Sequence, residues 1–328
     1  MVVGGDPSGR GVVAAASYEV RAFGVHSAMP AARALRLCPQ AIFLKPDFAR
    51  YRRESEQIFD VFRRFTPLVQ QVSIDEAYLD VTDHLGEWGS ATAVAREIRR
   101  QVRRERGLTV SVGVGPNKLV AKIASDFDKP DGLTVVRPGR VAAFLEPLPV
   151  RKLRGVGPRT EEALREMGIE TVADLKRRSL EELGRRFGRH GQTLYEFARG
   201  IDLRPVTTHR ERKSLGTENT YREDLTDLGE MEAEVGRCAA EVAEGLTRRG
   251  LTAFTVTLKV RYSDFTTVTR SRTLPAPTAD AGAITRVAVE LLDTKTEAER
   301  RPVRLLGVTA SNLVGEEDVV QLWLFDPV

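Results

Sequence analysis

The sequence predicts an α+β fold built of several domains, and three observations carry that expectation. Up to about residue 140, short strands alternate with amphipathic helices. Residues 150 to 203 turn to short, arginine-rich helices with no strand signal. From Ser214 the order becomes strand, helix, two strands, helix, strand, the split βαβ pattern of a small two-layer domain. A chain of 328 residues is also longer than one small core can fill, so it divides.

Taken in order, Met1-Val-Val-Gly-Gly-Asp-Pro7 reads as a strand running into a turn, with no preceding strand for it to pair with, as if the chain opened mid-domain. Small residues around Tyr18 and Arg21 leave room for something bulky to approach the backbone. A helix starts near Pro30, a good first-turn residue, and stops before Pro39. Tyr51 to Phe65 is helical by periodicity, with Ile58, Phe59, Phe62 and Phe65 as its buried stripe and Arg52, Arg53, Arg63 and Arg64 outside.

Val69 to Ile74 and Ala77 to Val81 read as two short strands with Asp75-Glu76 between them. Neighbouring side chains on a regular strand point to opposite faces, so two adjacent carboxylates converge only where the chain bends, as at a hairpin apex. Held close, they repel unless a cation sits between them, and a hard, oxygen-seeking ion such as Mg²⁺ suits the place. An ordinary exposed acidic turn has the same composition. After the hairpin, Ala91 to Arg104 sets Val94, Ala95, Ile98 and Val102 on one helical face, Thr109 to Val114 alternates as a strand, Pro116 to Phe127 is helical, and Leu133 to Val136 is a strand. Helices would cover one face of this layer and leave the other open for a large polyanion bridged by metal.

In Leu153-Arg-Gly-Val-Gly-Pro-Arg-Thr160, Gly155 and Gly157 allow a tight turn that exposes amide N–H groups at the start of the next helix, near Arg159, where anions bind. A plain helical turn with a glycine cap would look alike. Residues 151 to 200 hold twelve Lys or Arg against eight Asp or Glu. Arg204 to Ser214 is polar and basic and reads as a linker. In Phe254 to Tyr262 the apolar set is Phe254, Val256, Leu258, Val260 and Tyr262, leaving Thr255, Thr257, Lys259 and Arg261 on the other face, joined by Arg270 and Arg272 if register permits. Threonines interleaved with cations suit phosphate-backbone contact without base reading, and also suit a merely solvated face. The acidic tail ends Gln321-Leu-Trp-Leu-Phe-Asp-Pro-Val328; its aromatic residues either fold back on the chain or dock in a partner's apolar pocket.

Composition narrows the classes. Fifty Lys and Arg against 46 Asp and Glu leave a charge of +4, so local pattern outweighs any global field. Cys38 and Cys238 are far apart and lack partners at zinc spacing, which fits a reducing cytosol rather than a disulfide framework. No apolar run points to a membrane, and no charged-apolar-cleavage pattern points to secretion.

Ser73-Ile-Asp-Glu-Ala-Tyr-Leu-Asp80, Tyr18-x-x-Arg21, Val112-Gly-Val-Gly-Pro-Asn-Lys118, Lys129-Pro-Asp-Gly132 and Gly155-Val-Gly157 occur in the order and spacing of the Y-family translesion DNA polymerases, which the chain resembles over nearly its whole length, its bacterial polymerase IV branch most of all. The resemblance implies a right-hand polymerase that acts as a cytoplasmic monomer. Its fingers would lie in 1–47, palm in 48–140, helix-hairpin-helix thumb in 141–203, linker in 204–213, little finger in 214–313 and tail in 314–328. It implies that Asp75 and Glu76 hold two catalytic Mg²⁺ ions, and that Tyr18, Arg21 and Lys129 contact the incoming dNTP triphosphate. Gly155, Gly157, Arg159, Lys259, Arg261, Arg270 and Arg272 would face primer–template DNA. Gln321, Leu322, Leu324 and Phe325 look like a sliding-clamp-binding peptide. Ser73 would support the hairpin rather than react.

One departure stands at the front. The family begins with a strand bearing Asp-x-Asp-x-Phe, whose first Asp is a third metal-binding carboxylate, and that motif does not occur in these 328 residues. Asp6 belongs to the turn that normally follows it and is no substitute. The expectation is severely weakened catalysis from the chain as it stands, through a start placed too far downstream or a truncated form. A clamp-tethered, non-catalytic DNA-binding protein is the second expectation.

Overall fold

The computed structural model describes residues 1–209 and 211–315. These fall into two compact units, one of Met1–Pro46 together with the chain from Glu211 onward, the other of Asp47–Arg210.

In the first unit, β1 (Val2–Gly4) pairs antiparallel with β2 (Val13–Ala16) and parallel with β3 (Phe43–Leu44). The opening strand, which has no earlier strand in this sequence to pair with, takes both its partners from later in the chain. Between β2 and β3 lie α1 (Tyr18–Arg21) and α2 (Ala31–Leu37), the latter entered through Pro30. Val2, Val13, Val20, Val25, Met29, Ala34 and Cys38 form this segment's core. Asp6 sits in the turn after β1, where its carboxylate accepts the Ser8 amide at 2.8 Å; that bond holds its pKa below the usual carboxylate range.

The second unit starts with α3 (Phe48–Arg63), followed by the antiparallel pair β4 (Val69–Gln71) and β5 (Ala77–Leu79). Next come α4 (Leu85–Trp88) and α5 (Ala91–Arg106). Phe65, Val61, Val94, Ile98 and Val102 make the core between α3 and α5, with Leu79 and Val81 packed on it. A compact βαβ element follows: β6 (Val112–Val114), α6 (Lys118–Ser125) and β7 (Leu133–Val135), the two strands parallel. Among the described residues β5 pairs only with β4, and β6 only with β7.

The helix α6 lies almost on the backbone of β6. A Cβ at Gly113 would come within 2.0 Å of the Ala121 carbonyl and 2.3 Å of the Ser125 amide, so only glycine allows the approach. From its other side α6 puts Leu119, Val120, Ile123 and Ala124 into one core with Leu145, Leu153, Leu164, Ile169, Leu175, Leu183 and Leu194. Leu153 and Ile169 lie in connections, and the others come from a run of short helices: α7 (Val141–Leu145), α8 (Pro158–Glu166), α9 (Val172–Lys176), α10 (Leu180–Phe187) and α11 (Arg189–Ala198). Hydrophobic packing thus runs unbroken across residue 140. Two of the starts are reciprocal capping boxes, Thr171 with Asp174 and Ser179 with Glu182, which explains how helices this short persist.

From Ser214 the first unit resumes with β8 (Ser214–Leu225), α12 (Leu228–Thr247), β9 (Leu251–Tyr262), β10 (Thr267–Thr278), α13 (Ala281–Lys295) and β11 (Val303–Gly315). The sheet order is β10-β9-β11-β8, with β11 antiparallel to both neighbours, so β8 and β9 form the split βαβ that the element order predicted. Arg10 ties the loop after β1 to the end of β8, its Nη1 donating to the Tyr221 carbonyl at 3.0 Å and to Asp224 Oδ1 at 2.6 Å.

Gly113→Ala should force α6 off β6 and cost about 1–3 kcal/mol, the range for overpacking a filled interior. Urea unfolding of the 47–210 signal would check it; an unchanged midpoint would mean that α6 does not sit where described.

Candidate active site

The acidic pair lies at the tip of the β4–β5 hairpin, as the bend argument required. At its base the hairpin is closed by the Thr66 hydroxyl, which donates to the Asp80 carbonyl at 2.6 Å and accepts the Leu68 amide at 3.0 Å. Near the tip, the Val72 amide donates to the Glu76 carbonyl at 2.9 Å, and the buried Ser55 hydroxyl of α3 donates to the Ile74 carbonyl. The Ser73 hydroxyl donates to Asp75 Oδ1 at 2.5 Å, fixing the direction of that carboxylate. Asp75 itself is exposed, and Glu76 is half-buried.

The carboxylate of Glu76 is held from α6. Lys122 Nζ donates to Glu76 Oε1 at 2.6 Å and lies 3.3 Å from Asp126 Oδ2, while Lys129 Nζ lies 2.5 Å from Asp126 Oδ1. Glu76, Lys122, Asp126 and Lys129 therefore form a row of alternating charge that starts at the hairpin tip. Burial pushes the Lys122 ammonium toward losing its proton, but Glu76 and Asp126 outweigh it and its pKa rises. For Asp126 burial acts upward, and Lys129 and Lys122 overcome it, so its pKa falls below the usual carboxylate range.

Sequence reasoning singled out Lys129 and missed Lys122, Asp126 and Ser55. A signal existed for the first: Lys118 and Lys122 stand four apart on an otherwise apolar helix, hence on one face. Nothing in the local sequence marks Ser55, which matters only because α3 crosses the hairpin.

Tyr18 and Arg21 sit together in the first unit. The guanidinium lies 4.7 Å from the centre of the Tyr18 ring and donates through Nε to the Ala16 carbonyl at 3.0 Å, while the Tyr18 side chain is exposed. In the second unit the Gly155–Gly157 turn follows a single 3₁₀ turn, Val150–Lys152, rather than a full helix. Gly155 has φ +90°, and a Cβ there would meet the His190 ring at 3.0 Å. Gly157 caps α8 with Pro158 in its first turn, and Gly155, Gly157 and Arg159 are exposed, so the amide-lined turn faces solvent.

The β9 face is partly as expected. Val256, Leu258, Val260 and Tyr262 are buried, with Lys259 and Arg261 opposite. Two expectations fail on register. Phe254 is only half-buried and outside the core, where Ala253 takes its place; β10 shifts register between Thr273 and Thr278, and Ala253 pairs with Thr278. Arg270 and Arg272 do not join Lys259 and Arg261. They pair directly with Leu258 and Val256, and directly paired residues share a face, so both belong to the helix side of the sheet. There Arg270 Nε donates to the Lys295 carbonyl at 2.7 Å at the end of α13, and Arg272 makes a two-pronged ion pair with Glu290. The open face carries hydroxyls instead: Thr257 bonds Ser271 at 2.8 Å, Arg261 Nε donates to Thr267 at 2.9 Å, and Lys259 pairs with Glu218 at 2.6 Å, whereas Thr255, expected on this face, is buried beneath Thr273, 3.0 Å away, and Asn312. Gln321, Leu322, Leu324 and Phe325 lie outside the described residues.

Comparison with known proteins decides the family. Residues 1–126 match the impB/mucB/samB family, residues 212–324 its C-terminal domain, and residues 151–202 a thumb domain described for DNA polymerase iota. DNA polymerase IV of Alkalilimnicola ehrlichii is 55% identical over 315 residues, 96% of this chain and 88% of that protein. The chain belongs to the Y-family DNA polymerases. DNA polymerase IV of Halorhodospira halophila is 51% identical over 95% of this chain and 88% of its own length. Among solved structures, a Y-family DNA polymerase chimera, Dbh-Dpo4(243-245)-Dbh, matches with a TM-score of 0.87 at 28% identity, covering 96% of this chain and 92% of that one. An insertion ternary complex of Dbh DNA polymerase matches at 0.63 over the same shares. The mixed helix-and-sheet fold expected of this family is the fold found. No described helix is long and apolar enough to cross a membrane.

Lys122→Met should detach Glu76 from α6. The pair is partly exposed, so the stability cost should stay within about 1 kcal/mol. Amide exchange across 72–76 should quicken all the same, and exchange equal to the parent protein's would show that the hairpin tip does not depend on Lys122.

Proposed function

We propose that this chain is a template-directed, error-prone DNA polymerase of the translesion kind, adding dNTPs to a primer 3′-end. The observation that carries the reading is the acidic hairpin tip tied through Lys122 and Asp126 to Lys129, in a chain 55% identical to a DNA polymerase IV across nearly its whole length.

Asp75 and Glu76 offer hard carboxylate oxygens on a bend. That donor set fits Mg²⁺, which takes one or two carboxylates and completes its shell with water and substrate phosphates. When bound, two such ions would stabilise the attacking and leaving oxygens of an in-line phosphoryl transfer. The protein's part is to present the ligands. Ser73 aims Asp75, and Lys122 keeps Glu76 at the tip until a stronger cation takes it. Tyr18 supplies a hydroxyl and Arg21 and Lys129 supply cations, a donor set suited to a triphosphate. The Gly155–Gly157 amides with Arg159, and Lys259 with Arg261 among the sheet hydroxyls, suit phosphodiester contacts that read no base. Arg270 and Arg272 drop out of that surface. The 321–325 peptide is the proposed clamp anchor, raising the effective concentration of the attached domains at the primer end.

Primer extension with Mg²⁺ and dNTPs tests the proposal. Asp75→Ala and Glu76→Ala should each lower turnover by about 100-fold or more, the scale of lost metal ligation at a transition state, while primer binding persists. Extension unchanged in Asp75→Ala would sink the two-metal reading. Firm binding without extension on any primed template would favour the clamp-tethered accessory. In a salt series, Lys259→Ala with Arg261→Ala should reduce the slope of log affinity on log salt by about 1 for each phosphate no longer neutralised, and Arg272→Ala should leave it alone. Leu322→Ala with Phe325→Ala should abolish clamp pull-down without weakening primer binding.

A further inference from the structure

The other lysine of α6 has no place in the chemistry above. Lys118 is 8% exposed, and no carboxylate lies in its hydrogen-bonding shell. Its Nζ donates to Gln70 Oε1 at 2.7 Å and to the Pro205 carbonyl at 2.8 Å, and it lies 5.3 Å from the centre of the Tyr78 ring. A buried ammonium satisfied only by neutral oxygens and a ring face is costly to maintain, so it marks a place where the charge is used. Here it joins three elements far apart in the sequence: the strand β4, the helix α6, and the chain that leaves the last thumb helix.

That departing chain is held at further points. The side chain of Asn117, the N-cap of α6, donates to the Gly200 carbonyl at 2.8 Å. Asp202, its side chain 1% exposed, accepts Arg204 Nε and Nη2, each at 2.7 Å, while the Arg204 guanidinium lies 5.3 Å from the Phe197 ring. The Thr207 amide donates to the same Gln70 Oε1, at 3.4 Å. Read as sequence, Arg204 to Ser214 is a polar linker; in the structure its first part is a strap laid on β4. Lys118 is the charged tie beyond the Asp202–Arg204 pair, and Leu203, 90% exposed, shows that the strap is not held by hydrophobic burial.

We infer that Lys118 is a positioning residue that fastens the interdomain chain to the palm, shortening the tether between the thumb and the domain that begins at Ser214. With Thr207 held, residues 208–213 separate the strap from β8; without the tie, that count begins after Asp202. Effective concentration falls roughly as the −3/2 power of tether length, and the two units are also joined at Pro46–Asp47, so the tie raises the concentration of the C-terminal domain at DNA held by the thumb and palm by at most about two- to threefold. Charge-assisted bonds to carbonyl oxygens serve this better than an apolar clasp, because they fix one register of the strap.

Lys118→Met keeps the buried methylenes and removes the tie. In hydrogen exchange the amides of 203–208 should exchange at least about tenfold faster, with those of α5 and α12 unchanged. Primer–template Kd should weaken measurably, by up to about two- to threefold, while the single-turnover incorporation rate from saturated complex stays at the parent value. The exchange arm does not depend on the polymerase reading, so failure of that reading and of this one are distinguishable. If Lys118→Met does not fold, Gln70→Ala removes the shared acceptor and should give the same pattern. Unchanged exchange in a folded variant would overturn the strap. Faster exchange with unaltered Kd would overturn its positioning role, and so would a fall in the single-turnover rate, which would place Lys118 at the reacting atoms.

Discussion

Much of the second unit depends on one close approach, that of α6 to the β6 backbone at Gly113. Eight residues of helix are pressed against a strand, and each face then does different work. Leu119, Val120, Ile123 and Ala124 anchor the helical run, so the βαβ element and the short helices after residue 140 share one core. On the other side Lys118 and Lys122, one turn apart, reach Gln70 and Glu76 on the hairpin. An ångström of displacement would loosen the core, the hairpin tip and the strap together. A glycine with no side chain thus governs contacts made by several charged ones.

Electrostatics at the tip follows from that placement. An exposed acidic turn would carry two carboxylates repelling across a bend. Here Lys122 neutralises Glu76 from behind while Asp75 remains toward solvent, and Asp126 keeps Lys122 and Lys129 apart. The row ends in a cation at Lys129, so the local field changes sign within a few side chains. Such an alternation of charge is local, in keeping with a net charge of only +4 on the chain.

The fold was legible because local rules decide most of it. Periodicity located α3, α5, α12 and α13, alternation located β9, and the bend between two short strands located the acidic tip. Where the sequence misled, the missing information was cross-strand register. Arg270 and Arg272 look like neighbours of Lys259 and Arg261 along a basic strip, yet a residue's face is set by its partner, and theirs are Leu258 and Val256. Phe254 failed for the same reason, next to a shift that no local pattern announces. The opening strand looked orphaned because its partners follow it in the chain. Within the candidate site, the placing of Asp75 and Glu76 at a bend was readable from the two flanking strands. Ser55 and Asp126 were not, since each matters only through a contact made in three dimensions.

The unjoined strand pairs bear on how the molecule assembles. The β4–β5 hairpin closes over a few residues, and β6-α6-β7 is likewise a local loop, so each can form early from contacts close in sequence. Among the described residues no ladder of hydrogen bonds fuses the two; side chains of α6 join them. Their docking is therefore a late and readily reversed event on the folding path, and the charged row belongs to the part of the protein that opens first under stress. The geometry of the hairpin tip would then be lost on heating before the helices and cores melt.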